Sequence, residues 1–156
     1  MLITVHNTQK DLSISLTTLK KMIPFLLKNL EVFTNEVIIH LVSVPTISRV
    51  HADFFNDPSP TDCMSFPIDP PSKKETRSHI LGEIFVCPKV ALDYATKKGT
   101  DPYEETALYI IHGLLHLLGY DDLDPASRKV MRKMEKTCLQ ITSSFSLQPK
   151  KKKILS

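Results

Sequence analysis

The stretch that most constrains this chain is DPYEETALYIIHGLLHLLG, Asp101 to Gly119. Local chemistry closes it at both ends. Asp101 is a good N-cap, Pro102 stands at the first helical position, and Glu104 falls at the third, where a capping box wants an acid. Gly119 sits where a left-handed residue ends a helix. Between those ends Ile110, Ile111, Leu114, Leu115, Leu117 and Leu118 make the surface apolar on most sides, which predicts a central, buried helix.

Two histidines interrupt that surface. His112 and His116 are i and i+4, so they share one face. Imidazoles among leucines cost desolvation unless something binds them. The helix stops three residues after His116, and the chain can then turn back and bring Asp122 toward the same point. Two nitrogens and one oxygen, with a fourth position open, is the donor set of a catalytic zinc site. Asp121 or Asp124 could supply the oxygen instead, but only Asp122 has the right step from His116. The competing reading is an apolar helix that happens to carry histidines. Zinc peptidases of the HExxH kind place their general base directly after the first histidine. That position is Gly113 here, which disfavours a metallopeptidase. A glycine inside a helix costs up to ~1 kcal/mol against alanine, so Gly113 is expected to make room for substrate or for a neighbouring backbone.

Around this helix the sequence alternates between strand and helix patterns. Strands are expected at 2–7, 36–44, 63–68 and 80–87, and helices at 16–30, around 45–55, 88–99, 101–119 and 124–141. Pro24 is expected to kink the first helix or mark its first turn. Residues 69–79 are polar and carry prolines, a loop signature. The elements mix without regular βαβ alternation. They predict an α+β fold, a small mixed β-sheet packed with about five helices, with a metal site at the C-terminal end of a central, zincin-like His-x3-His helix. At 156 residues with 42% apolar content, one domain with a real core is expected. No apolar run reaches bilayer length and the N-terminus lacks a signal-peptide plan, so membrane association is not expected and a cytoplasmic location is. Cys63, Cys87 and Cys138 form no CxxC pair and read as buried thiols.

The net charge is only +3, but its distribution is uneven. Arg128, Lys129, Arg132, Lys133 and Lys136 crowd the last helix, and Lys150 to Lys153 form a run near the end. Such patches suit a phosphate backbone, although a solvated helix face and a frayed tail have the same composition. Glu83, on a strand, could support the metal site or act as an acid/base group and is taken as a candidate catalytic residue with His112 and His116. His6 and His40 read as ordinary fold residues. His51 and His79 could line a cleft, and Phe54 and Phe55 read as core rather than as a stacking platform, although Phe55 could stack on a base.

Three blocks carry a resemblance. Residues 112–121, His-Gly-Leu-Leu-His-Leu-Leu-Gly-Tyr-Asp, match every fixed position but the last of the signature His-Gly-x-Leu-His-Leu-x-Gly-Tyr-Asp-His. Pro60-Thr61-Asp62-Cys63-Met64-Ser65-Phe66-Pro67 and Leu81-Gly82-Glu83-Ile84-Phe85-Val86 match two further blocks in order and spacing. The chain thereby resembles the bacterial YbeY endoribonucleases, or rRNA maturation factors, over roughly residues 30–140. The resemblance implies one metal-dependent endoribonuclease-like domain over 1–145; composition adds a basic tail over 146–156, expected to be disordered beyond its first residues. It implies one Zn2+ held by His112, His116 and Asp122, and single-strand-specific RNA cleavage. It further implies a role in maturing the 3′ end of 16S rRNA and in late ribosome quality control, with rRNA and the small ribosomal subunit and its proteins as partners. Ser65 would touch substrate phosphate, and Arg128, Lys129 and Arg132 would hold the RNA backbone.

Two positions depart from the family pattern. Asp122 stands where the third metal histidine is usual. Three neutral imidazoles leave a divalent site at +2, and a carboxylate lowers that to +1, so a weaker centre or a shifted pH optimum is expected. Phe55 stands where an arginine is usual, five residues before Pro60. Phosphodiester cleavage needs positive charge on the non-bridging oxygens; Lys73, Lys74 and Arg77 are possible replacements. The departures motivate an alternative: a ribosome-associated assembly factor with weak or lost catalysis and a structural metal.

Overall fold

Each strand pattern and each cap becomes an element close to its expected bounds. The computed structural model describes residues 1–59 and 61–150. In chain order the elements are β1 (Leu2–Asn7), α1 (Leu16–Asn29), β2 (Glu36–Leu41), α2 (Val44–Phe55), β3 (Cys63–Pro67), β4 (Ile80–Val86), α3 (Pro88–Lys98), α4 (Pro102–Leu117) and α5 (Pro125–Ile141). The fold is α+β, a four-stranded mixed sheet with five helices. Strand order is β1-β2-β4-β3, with β1, β2 and β4 parallel and β3 antiparallel to β4. Pro24 lies inside α1, which continues through it. Among the described residues no helix is long and apolar enough to cross a membrane.

The sheet has unequal faces. Val37, Ile39, Leu41, Ile84 and Val86 face α1 and α4 and are fully buried. The other face is covered at one end by α2, whose Ile47 packs with Val42, Met64 and Cys87. Across the rest of that face the rings of Phe66, Phe85, His40 and His6 follow one another, with His40 and Phe85 stacked 4.2 Å apart.

Helix α4 is the centre of the molecule. Tyr109, Ile110, Ile111, Leu114, Leu115 and Leu117 are all buried in the main core. Gly113 brings the helix close to the sheet. A β-carbon there would stand 2.6 Å from Ile84 Cγ2 and 2.7 Å from Cys63 Sγ. The room that glycine makes is therefore taken by sheet side chains and not by substrate. Ser65 Oγ, on β3, donates to the Gly113 carbonyl at 2.8 Å and ties the helix to the sheet.

The C-terminal segment stays attached past 145. Leu147 is buried and its carbonyl accepts from the Ser15 N–H at 2.8 Å. Leu147 thereby belongs to the main core cluster. The remainder of the expected tail, 151–156, lies outside the described residues.

Candidate metal centre

The end of α4 shapes the site. Its C-cap is Leu118, and Gly119 follows at φ +99°. The Gly119 N–H donates to the His116 carbonyl and the Tyr120 N–H to the Leu115 carbonyl, both at 3.0 Å, the paired bonds of a Schellman motif. The reversed chain carries the Tyr120 carbonyl back to His116, whose Nδ1 donates to it at 3.0 Å. It also carries Asp122 to the two rings. Asp121 and Asp124 go elsewhere. Asp124 caps α5, accepting from the Ser127 N–H at 2.8 Å, and Asp121 Oδ1 accepts from the Leu123 N–H.

His112, His116 and Asp122 form a three-donor cluster. His112 Nε2 lies 2.9 Å from His116 Nε2, and Asp122 Oδ2 lies 3.5 Å and 3.8 Å from these two nitrogens. Donors bonded to one tetrahedral zinc at 2.0–2.1 Å stand ~3.3 Å apart, so the three distances bracket that spacing. The tautomers sharpen the case. His112 Nδ1 faces Glu135 Oε1 at 2.7 Å, and His116 Nδ1 faces a backbone carbonyl. A carboxylate and a carbonyl only accept, so each ring carries its hydrogen on Nδ1. With both rings neutral, as metal ligation requires, the two Nε2 lone pairs face each other at 2.9 Å beside a carboxylate. A cation between them removes that repulsion, and the donor set fits a divalent metal. The three side chains are 24%, 29% and 40% exposed, so the cluster is open to solutes on one side.

Sequence reasoning missed Glu135. It is the sole acid of α5 and stands among Met131, Met134 and Cys138 on the helix's inward face. An acid on the core face of a basic helix was the available signal. Its carboxylate takes the role expected of Glu83, orienting a ligand histidine. Glu83 is not brought to the cluster. Glu83 alternates with the buried Ile84 and so faces the open side of the sheet, while a bulge in β4 opposite Glu36–Ile38 lets Leu81 join Ile84 on the core side. There it pairs with His40 Nε2 at 3.0 Å.

A cavity of about 510 Å³ opens beside the cluster, lined by His116, Asp122, Tyr120, Ser65, His51 and Phe55 among others. No arginine or lysine lines it among the described residues, so Lys73, Lys74 and Arg77 do not replace the family's arginine there. Arg128, Lys129 and Arg132 are exposed on α5, outside the cavity wall. Phe54 and Phe55 are not core: they are 65% and 61% exposed, because α2 ends there at left-handed Asn56 and buries neither ring, Phe54 only leaning on Phe66 of β3. His51 lines the cavity, whereas His79 is buried between Thr34 Oγ1 and the Pro70 carbonyl. Cys63 also lines the cavity wall. Burial pushes its thiol well above the ordinary thiol range, so it packs there as a neutral group.

Comparison with known proteins places these features in context. The family profile described as endoribonuclease YbeY matches residues 4–143. The chain is 46% identical over 136 residues to the endoribonuclease YbeY of Protochlamydia amoebophila, covering 86% of this chain and 89% of that one. It is 39% identical over 138 residues to that of Chlamydia caviae, covering 86% and 87%. A Thermotoga maritima protein solved in solution shares the fold, with a TM-score of 0.65 at 24% identity over 92% of this chain and 90% of that one.

Proposed function

The chain belongs to the endoribonuclease YbeY family, and on that premise we propose that it is a zinc-dependent endoribonuclease. Its substrate is single-stranded RNA at the 3′ end of 16S rRNA, and it works in late ribosome maturation and quality control in the cytoplasm. The observation that carries this reading is the pair of Nε2 atoms facing each other beside Asp122, each ring held by an acceptor on its Nδ1.

His112, His116 and Asp122 would hold the ion. When bound, a divalent cation supplies Lewis acidity toward a phosphoryl oxygen and toward water. The rest is done by the chain. Glu135 and the Tyr120 carbonyl fix the ring orientations and raise the basicity of the donor nitrogens. Ser65 holds α4 against β3, which sets the histidines' depth in the cleft, and its oxygen stands in the cavity wall where a phosphate would pass. The basic row Arg128, Lys129 and Arg132 on α5 would meet the RNA backbone outside the cleft.

The test is cleavage of labelled single-stranded RNA by the purified chain with zinc, beside its His116→Ala variant. Activity in the first and none in the second supports the reading; equal cleavage by both means a contaminant. The bare cleft wall supports a second reading, an assembly factor with weak or lost catalysis and a structural metal. Tight binding to small ribosomal subunits without RNA cleavage by the parent chain would favour it.

A further inference from the structure

We infer that Phe55, backed by His51, is a stacking site for an unpaired nucleobase at the mouth of the metal cleft, so that this chain grips RNA there by a base face and not by a phosphate. The inference rests on the endoribonuclease reading and deepens it. His51 and Phe55 are one turn apart on α2 and line the same cavity as His116 and Asp122. Phe55 is 61% exposed, a large apolar ring open to solvent beside polar metal donors. The His51 ring stands 5.5 Å from it at a 55° tilt and is held there by Nδ1, which donates to the Ser59 carbonyl at 2.9 Å. The His51 ring is thus held in place, and with Phe55 beside it makes an aromatic pair in the wall of the recess.

Charge decides what fills the recess. Away from the metal donors the cavity wall carries no arginine or lysine among the described residues, while Asp121 lines it. A phosphate gains nothing from Phe55. A base has a π-face, stacks on any aromatic ring, and is available to it only when unpaired. Stacking of this kind is worth roughly ten-fold or more in affinity per base by alanine substitution.

The experiment measures binding by fluorescence anisotropy, on the full chain with zinc. The probes are a labelled single-stranded RNA, an oligomer of equal length with abasic sites, and a hairpin. The parent is expected to bind the single strand roughly ten-fold more tightly than the other two. Phe55→Ala is expected to lose that preference while keeping its affinity for the abasic strand, and Phe55→Trp to retain it. No preference in the parent, or a preference unchanged in Phe55→Ala, overturns the inference while leaving cleavage by the parent to stand for the broader reading. Loss of ribosomal-subunit binding by Phe55→Ala with oligomer binding intact would overturn it in favour of a protein contact. A parent that neither binds nor cleaves RNA removes both.

Discussion

Replacing Gly113 by alanine tests how the site is placed. On helix propensity alone Gly113→Ala should stabilise α4 by up to ~1 kcal/mol. The structure argues the opposite sign. The new β-carbon would meet Ile84 Cγ2 at 2.6 Å, Cys63 Sγ at 2.7 Å and Ser65 Oγ at 3.0 Å. Carbon pairs prefer ~3.5–4.0 Å, so the helix must withdraw by roughly 1 Å or its neighbours must move. Ile84 is fully buried and its Cγ2 sits on a branched carbon, so it has little freedom to swing aside. Overpacking of this kind costs ~1–3 kcal/mol. The Ser65 bond to the Gly113 carbonyl, strained by the withdrawal, is worth ~1 kcal/mol more. Against the propensity gain the net loss is about 1–3 kcal/mol. In a chain of this size that lowers Tm by about 2–12 °C. Because His112 and His116 ride on the same helix, zinc affinity should fall with it. Calorimetry and zinc titration measure both, with Gly99→Ala as the control. Gly99 is left-handed at φ +70° with nothing within 4 Å of an added β-carbon, so its variant pays backbone strain without displacing α4. It should lose stability and keep its zinc affinity. A Gly113→Ala chain at or above the parental Tm, with unchanged zinc affinity, would refute the reasoning.

Glu135→Gln should weaken zinc binding by roughly 10–100-fold with little change in the circular dichroism spectrum, as seen by calorimetric titration; an unchanged affinity would mean that the Nδ1 partner contributes nothing. Leu147→Ala should cost ~2–5 kcal/mol, toward the low end at this peripheral position, and lower the urea midpoint; no change would place Leu147 outside the folded unit. Alkali should destabilise the fold. Burial raises the thiols of Cys63, Cys87 and Cys138, the last to about 11, so each stays protonated where the unfolded chain's thiol ionises. The stabilisation is whole below the ordinary value of 9.0 and is lost as pH rises from there, for Cys138 until about 11. Urea midpoints measured from pH 8 to 11 should fall across that window, and a flat profile would show that the thiols ionise freely in the fold.

The elements and the core of the site were legible without coordinates, for a local reason. Caps, helix periodicity and β-branched runs act over a few residues, so Asp101, Pro102 and Gly119 define α4 by themselves, and i, i+4 spacing alone puts His112 beside His116. Asp122 follows from the same locality, since a Schellman reversal at Gly119 returns the next residues to the last turn. What lies far apart in sequence was decided by packing. Glu135 reaches His112 only because α5 lies across α4. Glu83 turns away from the site and pairs with His40 of β2, a partner that only the strand register supplies. Phe54 and Phe55 look like core by type, and only the folded chain shows that the last turn of α2 leaves both exposed. Local chemistry therefore determined which groups could bind a cation. The tertiary contacts decided which partner orients them and which residues, Phe55 among them, wall the cleft, because those are distances between segments that no short-range preference encodes.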